Sequence, residues 1–184
     1  ESGWHLQGEK YWISAGASAT HFVVLADSCN GLAWVLVAKE AAGLSCETFP
    51  THDGKGGANC HFDLPIKDDQ ILLMGDAAAE ALSAFRECAM VVSSAETLGA
   101  AQAALDTTVD YTKQREQFGQ PLASFQALQH RMANMLIQTE LTRSLVYAAC
   151  DAADRNASDR GRFARAAKVK SAAVGRKVTQ EAIQ

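Results

Sequence analysis

Two hydrophobic rhythms divide this chain near residue 75. Before it, apolar residues come in short runs. His21-Phe22-Val23-Val24-Leu25-Ala26 and Leu32-Ala33-Trp34-Val35-Leu36-Val37 are β-branched and aromatic, bounded by Gly, Asn, Asp and Ser. Such runs predict strands. Gly3–Gln7 and Tyr11–Ser14 alternate more loosely around a predicted Gly8-Glu9 turn. Asp53-Gly54-Lys55-Gly56-Gly57 is a strong turn signal. Ala58–Leu64 alternates into Pro65, which is expected to end that strand. From Asp76 the apolar period becomes 3.6. It predicts a helix from an Asp76 N-cap to about Arg115, a second from a Ser124 cap over Phe125 to about Asp154, and a third from about Arg162 to the chain end.

The predicted fold class is α+β. An antiparallel β sandwich or barrel-like domain (1–75) precedes an antiparallel α-helical bundle domain (76–184). At 1.5 Å per residue the first helix is about 60 Å long, more than one small domain covers. It is expected to belong to a bundle or an oligomer interface. Both ends of the chain read as cut, and the helical domain is expected to be incomplete.

Composition narrows the function classes. The 184 residues are 48% hydrophobic and 21% charged, as in an ordinary globular protein. The formal net charge is -4 with no basic tail, which argues against nucleic acid as a partner. No apolar run approaches the roughly 20 residues of a membrane span, and no signal peptide opens the chain. Cytoplasm follows by default, or a mitochondrial matrix in a eukaryote. Five cysteines without a C-x-x-C pair are expected as free thiols in a reducing compartment. His5, His21, His52, His61 and His130 lack metal-ligand spacing.

The candidate chemistry lies between the first two helices. Arg115-Glu116-Gln117-Phe118-Gly119-Gln120-Pro121-Leu122 is followed by Phe125-Gln126-Ala127-Leu128-Gln129-His130. By itself the stretch reads as a helix end, with its cation and glycine, a polar loop and a new helix start. It also resembles the R-x-x-F-G-x-x-x-x-x-x-Q element of the acyl-CoA dehydrogenase family. Gly8-Glu9-Lys10-Tyr11-Trp12-Ile13-Ser14 resembles a second family element, W-x-[ST]. The resemblance covers essentially the whole chain, as the family's middle β domain and most of its C-terminal helical domain. It implies an FAD enzyme that removes the α-proton of an acyl-CoA, passes the β-hydrogen to flavin as hydride, and leaves 2,3-enoyl-CoA. An electron-transferring flavoprotein would take the electrons, and a homo- or hetero-tetramer would form. Ala95-Glu96-Thr97-Leu98-Gly99, with the stretch from Phe125 to Met135, resembles the branch that includes pimeloyl-CoA dehydrogenase small subunits.

The resemblance implies roles residue by residue. Trp12 would lie against the isoalloxazine, and Ser14 would hydrogen-bond near flavin N5. The alternatives are a core Trp and a solvated Ser. Arg115 would hold the pyrophosphate through a forked guanidinium, Phe118 would pack near the adenine, and Gln126 would offer amide bonds. The alternatives are helix capping, a core Phe and a surface Gln. Gln184 resembles the amide that opens a second pyrophosphate-binding turn. Glu87 matches an acid that contacts acyl-CoA, or it is a solvated helix residue. Met90 stands where the family commonly has an arginine, and Ala89 where some members place the catalytic base. No catalytic residue is assigned within the chain; the base is expected beyond Gln184 or on a partner. Glu96, the only charge from Cys88 to Leu105, is expected to be buried and paired, or set at a polar cavity.

Overall fold

The computed structural model describes residues 3–184. It divides into two compact units, Glu1–Leu82 and Ser83–Gln184.

The first unit carries β1 (Trp4–Ser14), β2 (His21–Ser28), β3 (Gly31–Ala38), β4 (Leu44–Phe49), β5 (Gly57–Ile66) and β6 (Ile71–Met74). They form two three-stranded sheets, ordered β1-β5-β4 and β2-β3-β6, with antiparallel pairing throughout. Strict alternation builds the core. In β5, Ala58, Cys60, Phe62, Leu64 and Ile66 are buried, while His61, Asp63 and Pro65 are exposed. Leu6 of β1 and Phe62 of β5 share one cluster with Phe22 and Val24 of β2 and Val35 and Val37 of β3. Burying a side chain such as Phe62 stabilises the fold by about 1.5–3 kcal/mol.

Three local expectations are corrected here. Gly8-Glu9 is not a turn: β1 runs unbroken, with Gly8 opposite Phe62 at a φ of +146°. Glycine adopts that angle freely, so the strand continues past it. Pro65 does not end β5, because it pairs with His5 and the strand reaches Ile66. Past Phe62 the β4 ladder has stopped, so a residue without an N–H is tolerated on that side. Nor are all five cysteines free. Cys46 and Cys60 form a disulfide, while Cys29, Cys88 and Cys150 remain thiols. The pair sit directly opposite one another on β4 and β5, a proximity no linear motif displays.

The second unit takes α1 (Asp76–Gln114) from Ser83 onward, the short strands β7 (Glu116–Gln117) and β8 (Gln120–Pro121), α2 (Gln126–Asp154) and α3 (Arg160–Ile183). One core cluster joins Val91 and Leu98 of α1, Val146 and Ala149 of α2, and Ala164 and Ala167 of α3. Another joins Leu105, Met135, Val174 and Val178. Small residues set the spacing: a Cβ on Gly175 would stand 2.5 Å from Thr97 Cγ2. The expected caps are not used. Asp76 is already helical, with the Gly75 carbonyl accepting the Ala79 N–H at 3.1 Å. Phe125 occupies the N-cap of α2, and the Ser124 hydroxyl donates to the Pro121 carbonyl instead. Among the described residues no helix is long and apolar enough to cross a membrane.

Candidate functional site

Trp12 owes its presentation to a β-bulge. Lys10 pairs with Cys60 and Ile13 with Ala58, so Tyr11 and Trp12 together oppose Asn59. A bulge bends its strand and re-aims a side chain. Trp12 takes a left-handed φ of +55°, and 76% of the residue is exposed. Its displaced N–H donates to Asn59 Oδ1 at 3.0 Å. The Phe49 ring meets the indole edge-to-face, with centroids 5.1 Å apart. Phe49 has room because its partner is Gly57, where a Cβ would stand 2.6 Å from Phe49 Cε2. Ser14 ends β1 opposite Gly57 and is exposed. Beside the bulge, the Tyr11 hydroxyl donates to Glu9. That bond holds the Tyr11 phenol above its usual range and the Glu9 carboxyl below its own.

Phe118 is presented by a second strained turn. β7 and β8 pair Gln117 with Gln120 and Glu116 with Pro121, leaving Phe118-Gly119 as a two-residue loop. Both have positive φ, +57° and +77°, as a type I′ hairpin turn requires. Asn or Gly normally occupies the first of these positions; a bulky aromatic is an outlier there. The Phe118 ring is 90% exposed and touches Phe125 edge-to-face at 6.2 Å. Arg115 leads into the hairpin. Its N–H closes α1 on the Tyr111 carbonyl, and its own carbonyl accepts the Leu122 N–H, both at 2.8 Å. The Arg115 side chain is exposed and forms no ion pair or side-chain hydrogen bond among the described residues. Gln126 is the first residue of α2 and is exposed.

Gln184 lies at the same end of the second unit. It lines a cavity of about 690 Å³ with Tyr111 of α1, Leu122 after the hairpin, and Leu128 and Met132 of α2. The Arg131–Glu181 ion pair, 2.5 Å long, stands at its edge. Arg115, Phe118 and Gln126 thus share one short segment, with Gln184 beside the helices that carry it. Trp12 and Ser14 belong to the first unit.

Glu87 is engaged within the protein. Its Oε2 accepts from Arg160 Nε at 2.7 Å, and the carboxylate is largely buried. A Cβ at Gly161 would stand 2.6 Å from Glu87 Oε1. Met90 packs against the first helical core cluster, and Ala89 is exposed. Glu96 is exposed rather than buried: the α1 face toward α2 and α3 is taken by Val91, Ser94 and Leu98, and Glu96 falls outside it. Asn59 and Phe49, which orient Trp12, carried no linear signal, whereas Phe125, which meets Phe118, lies inside the stretch the sequence singled out. Asn59 and Phe49 reach Trp12 only through strand register. Among the described residues no cluster of His, Cys, Asp and Glu could hold a metal.

Comparison with known proteins adds the lineage. The profile of the "Acyl-CoA dehydrogenase, C-terminal domain" matches residues 76–184. The acyl-CoA dehydrogenase fadE25 of Mycobacterium leprae is 31% identical over 190 residues, covering 98% of this chain and 49% of that protein. The 3-sulfinopropanoyl-CoA desulfinase of Paraburkholderia xenovorans is 34% identical over 194 residues, with 98% and 49% coverage. A solved structure of PigA with FAD and proline superposes with a TM-score of 0.92 at 26% identity, covering 99% of this chain and 50% of that one. The chain spans about half the length of the curated relatives it matches.

Proposed function

The chain belongs to the acyl-CoA dehydrogenase family, and on that premise we propose that it is part of an FAD-dependent acyl-CoA dehydrogenase that converts an acyl-CoA thioester to its 2,3-enoyl-CoA. One observation carries this reading. Among the described residues only Trp12, Ala15, Phe118 and Asn156 are non-glycine residues with positive φ. The two aromatics among them are both largely exposed, and both fall on the family's flavin elements. Left-handed backbone at a bulky residue costs on the order of 1–3 kcal/mol. A chain that accepts this cost twice, to turn an aromatic face outward, presents those faces to a ligand.

The residues fit FAD. The Arg115 guanidinium, without a partner among the described residues, has a fork suited to a pyrophosphate. Phe118 would pack against the adenine, with Gln126 supplying amide hydrogen bonds. Gln184 would add a second amide to the pyrophosphate. Trp12 would cover one face of the isoalloxazine and exclude water, and the Ser14 hydroxyl would donate to a ring nitrogen. FAD, when bound, would supply the hydride acceptor that no side chain of this chain offers. The ADP contacts imply a cofactor shared between subunits of a homo- or hetero-tetramer, and an electron-transferring flavoprotein as the onward acceptor. A direct contact of Glu87 with acyl-CoA requires its pair with Arg160 to open.

Ala89 and Met90 favour a second reading. An FAD-binding subunit without its own base would serve a sister chain that supplies the carboxylate. The test is an anaerobic absorption spectrum of the flavin-loaded protein across a panel of acyl-CoAs. Bleaching with one thioester supports the dehydrogenase and names its substrate class. Stable flavin that never bleaches supports the second reading. Purified protein that takes up no flavin sinks both.

A further inference from the structure

The disulfide is the covalent feature that the flavin reading leaves unused. It joins β4 to β5 at directly opposed positions. β4 is the edge strand of its sheet, six residues long, and among the described residues β5 is its only strand neighbour. Its side chains are half-buried or exposed throughout, so little apolar burial holds it in register. Both strands also hold Trp12. Phe49, three residues along β4 from Cys46, meets the indole edge-to-face; Asn59, next to Cys60, accepts the Trp12 backbone N–H. The cross-link therefore lies inside the small frame that sets the bulge.

We propose that Cys46 and Cys60 form a reversible dithiol–disulfide site whose oxidation locks the Trp12 bulge and whose reduction loosens it. Two observations favour a cycling bond over an inert staple. The two residues are unequally covered: Cys60 is 2% exposed, whereas Cys46 is only partly buried on the edge strand. And an edge strand with one neighbour opens locally without global unfolding.

The exchange follows from that asymmetry. A thiolate of a dithiol reductant attacks Cys46 Sγ, and the Sγ–Sγ bond breaks. Cys60 leaves as a thiolate and takes a proton. The reductant's second thiolate then displaces Cys46, which is protonated in turn. The protein disulfide gains two electrons and two protons, and the reductant becomes a disulfide. A small-molecule disulfide reverses the process.

The experiment treats the native protein with dithiothreitol, then with oxidised glutathione. Alkylation mass spectrometry reads the thiols, and amide hydrogen exchange reads the strands. In the oxidised protein Cys29 and Cys88 are alkylated and Cys46 and Cys60 are not; reduction adds those two. With it, exchange over β4 and at Trp12 rises about tenfold or more, part of the roughly hundredfold that closing a loop of this length represents. β2 and β3 stay unchanged, and oxidised glutathione restores protection. In Cys46→Ser the exchange at Trp12 is fast and indifferent to reductant. The proposal is overturned if Cys46 and Cys60 resist native reduction, if they stay thiols after oxidised glutathione, or if Trp12 exchanges equally in both states. Neither readout depends on flavin, so the outcome is separate from that of the flavin assignment.

Discussion

Replacing Phe118 separates backbone strain from ligand contact. Phe118 sits at the first loop position of a type I′ turn, with a φ of +57°. A side chain bearing a Cβ there costs about 1–2 kcal/mol. Asn relieves most of that, because it favours the left-handed region. The edge-to-face contact with Phe125 returns about 0.5 kcal/mol, the low end for an aromatic pair, since the ring is almost fully exposed. Phe118→Ala loses the contact and keeps the strain, so it is expected to be about 0.5 kcal/mol less stable. Phe118→Asn loses the contact and sheds the strain. It should be about 1 kcal/mol more stable than the Ala variant and no less stable than the parent. Urea unfolding followed by far-ultraviolet circular dichroism measures the difference. Flavin titration gives the other half: base–aromatic stacking is worth about 1–3 kcal/mol, so both variants should weaken FAD binding roughly fivefold to a hundredfold. If Asn is no more stable than Ala, the strain argument is wrong. If FAD affinity survives both changes, Phe118 is not an adenine contact.

Other expectations follow from the same geometry. Arg115→Ala should weaken FAD binding roughly tenfold to a hundredfold, the value of a hydrogen bond to a charged group, with Arg115→Lys in between because it keeps charge without the fork; unchanged titrations would remove Arg115 from the site. Met135→Ala should cost about 2–5 kcal/mol and Leu136→Ala less than about 0.5, because Met135 is 3% exposed and Leu136 is 48% exposed; equal unfolding midpoints would mean the α2 face is misassigned. Gly57→Ala should displace Phe49 from Trp12 at a cost of about 1–3 kcal/mol, read by thermal unfolding and by indole fluorescence. The Glu9–Tyr11 pair should stabilise the fold only between two pH limits. Glu9 is depressed below its ordinary value of 4.5, chiefly by the Tyr11 hydrogen bond. Its contribution is complete above that value and fades as pH falls through the lower one. Tyr11 is raised above 10.0 by the same bond, so its contribution is complete below 10.0 and fades as pH rises through the higher value. A phenolate absorbance titration, with Tyr11→Phe as the blank, should find a midpoint above 10.0 that returns toward it in Glu9→Gln; an ordinary midpoint in the parent would show the bond absent.

Much of this protein is local physics and could be read along the chain. Helix periodicity extends over many residues, so α1, α2 and α3 were legible within a few residues of their ends. β2 and β3 were legible because runs such as Phe22–Leu25 are rich in strand-forming residues. The proposed flavin elements were visible as residue types: an arginine, an aromatic and an amide at set spacings. Their presentation was not visible. Without the family resemblance Trp12 reads as a core residue, until the mismatch between β1 and β5 places it in a bulge with Asn59 accepting its amide. Phe118 reads as loop until two-residue strands close on either side of it. Glu87 reads as a solvated acid until α3 brings Arg160 and Gly161 against it. Cys46 and Cys60 read as free thiols until register sets them face to face. Propensity and periodicity are properties of neighbouring residues, so sequence carries them directly. Register, close approach and side-chain pairing arise between residues tens of positions apart, and they exist only once the chain has folded.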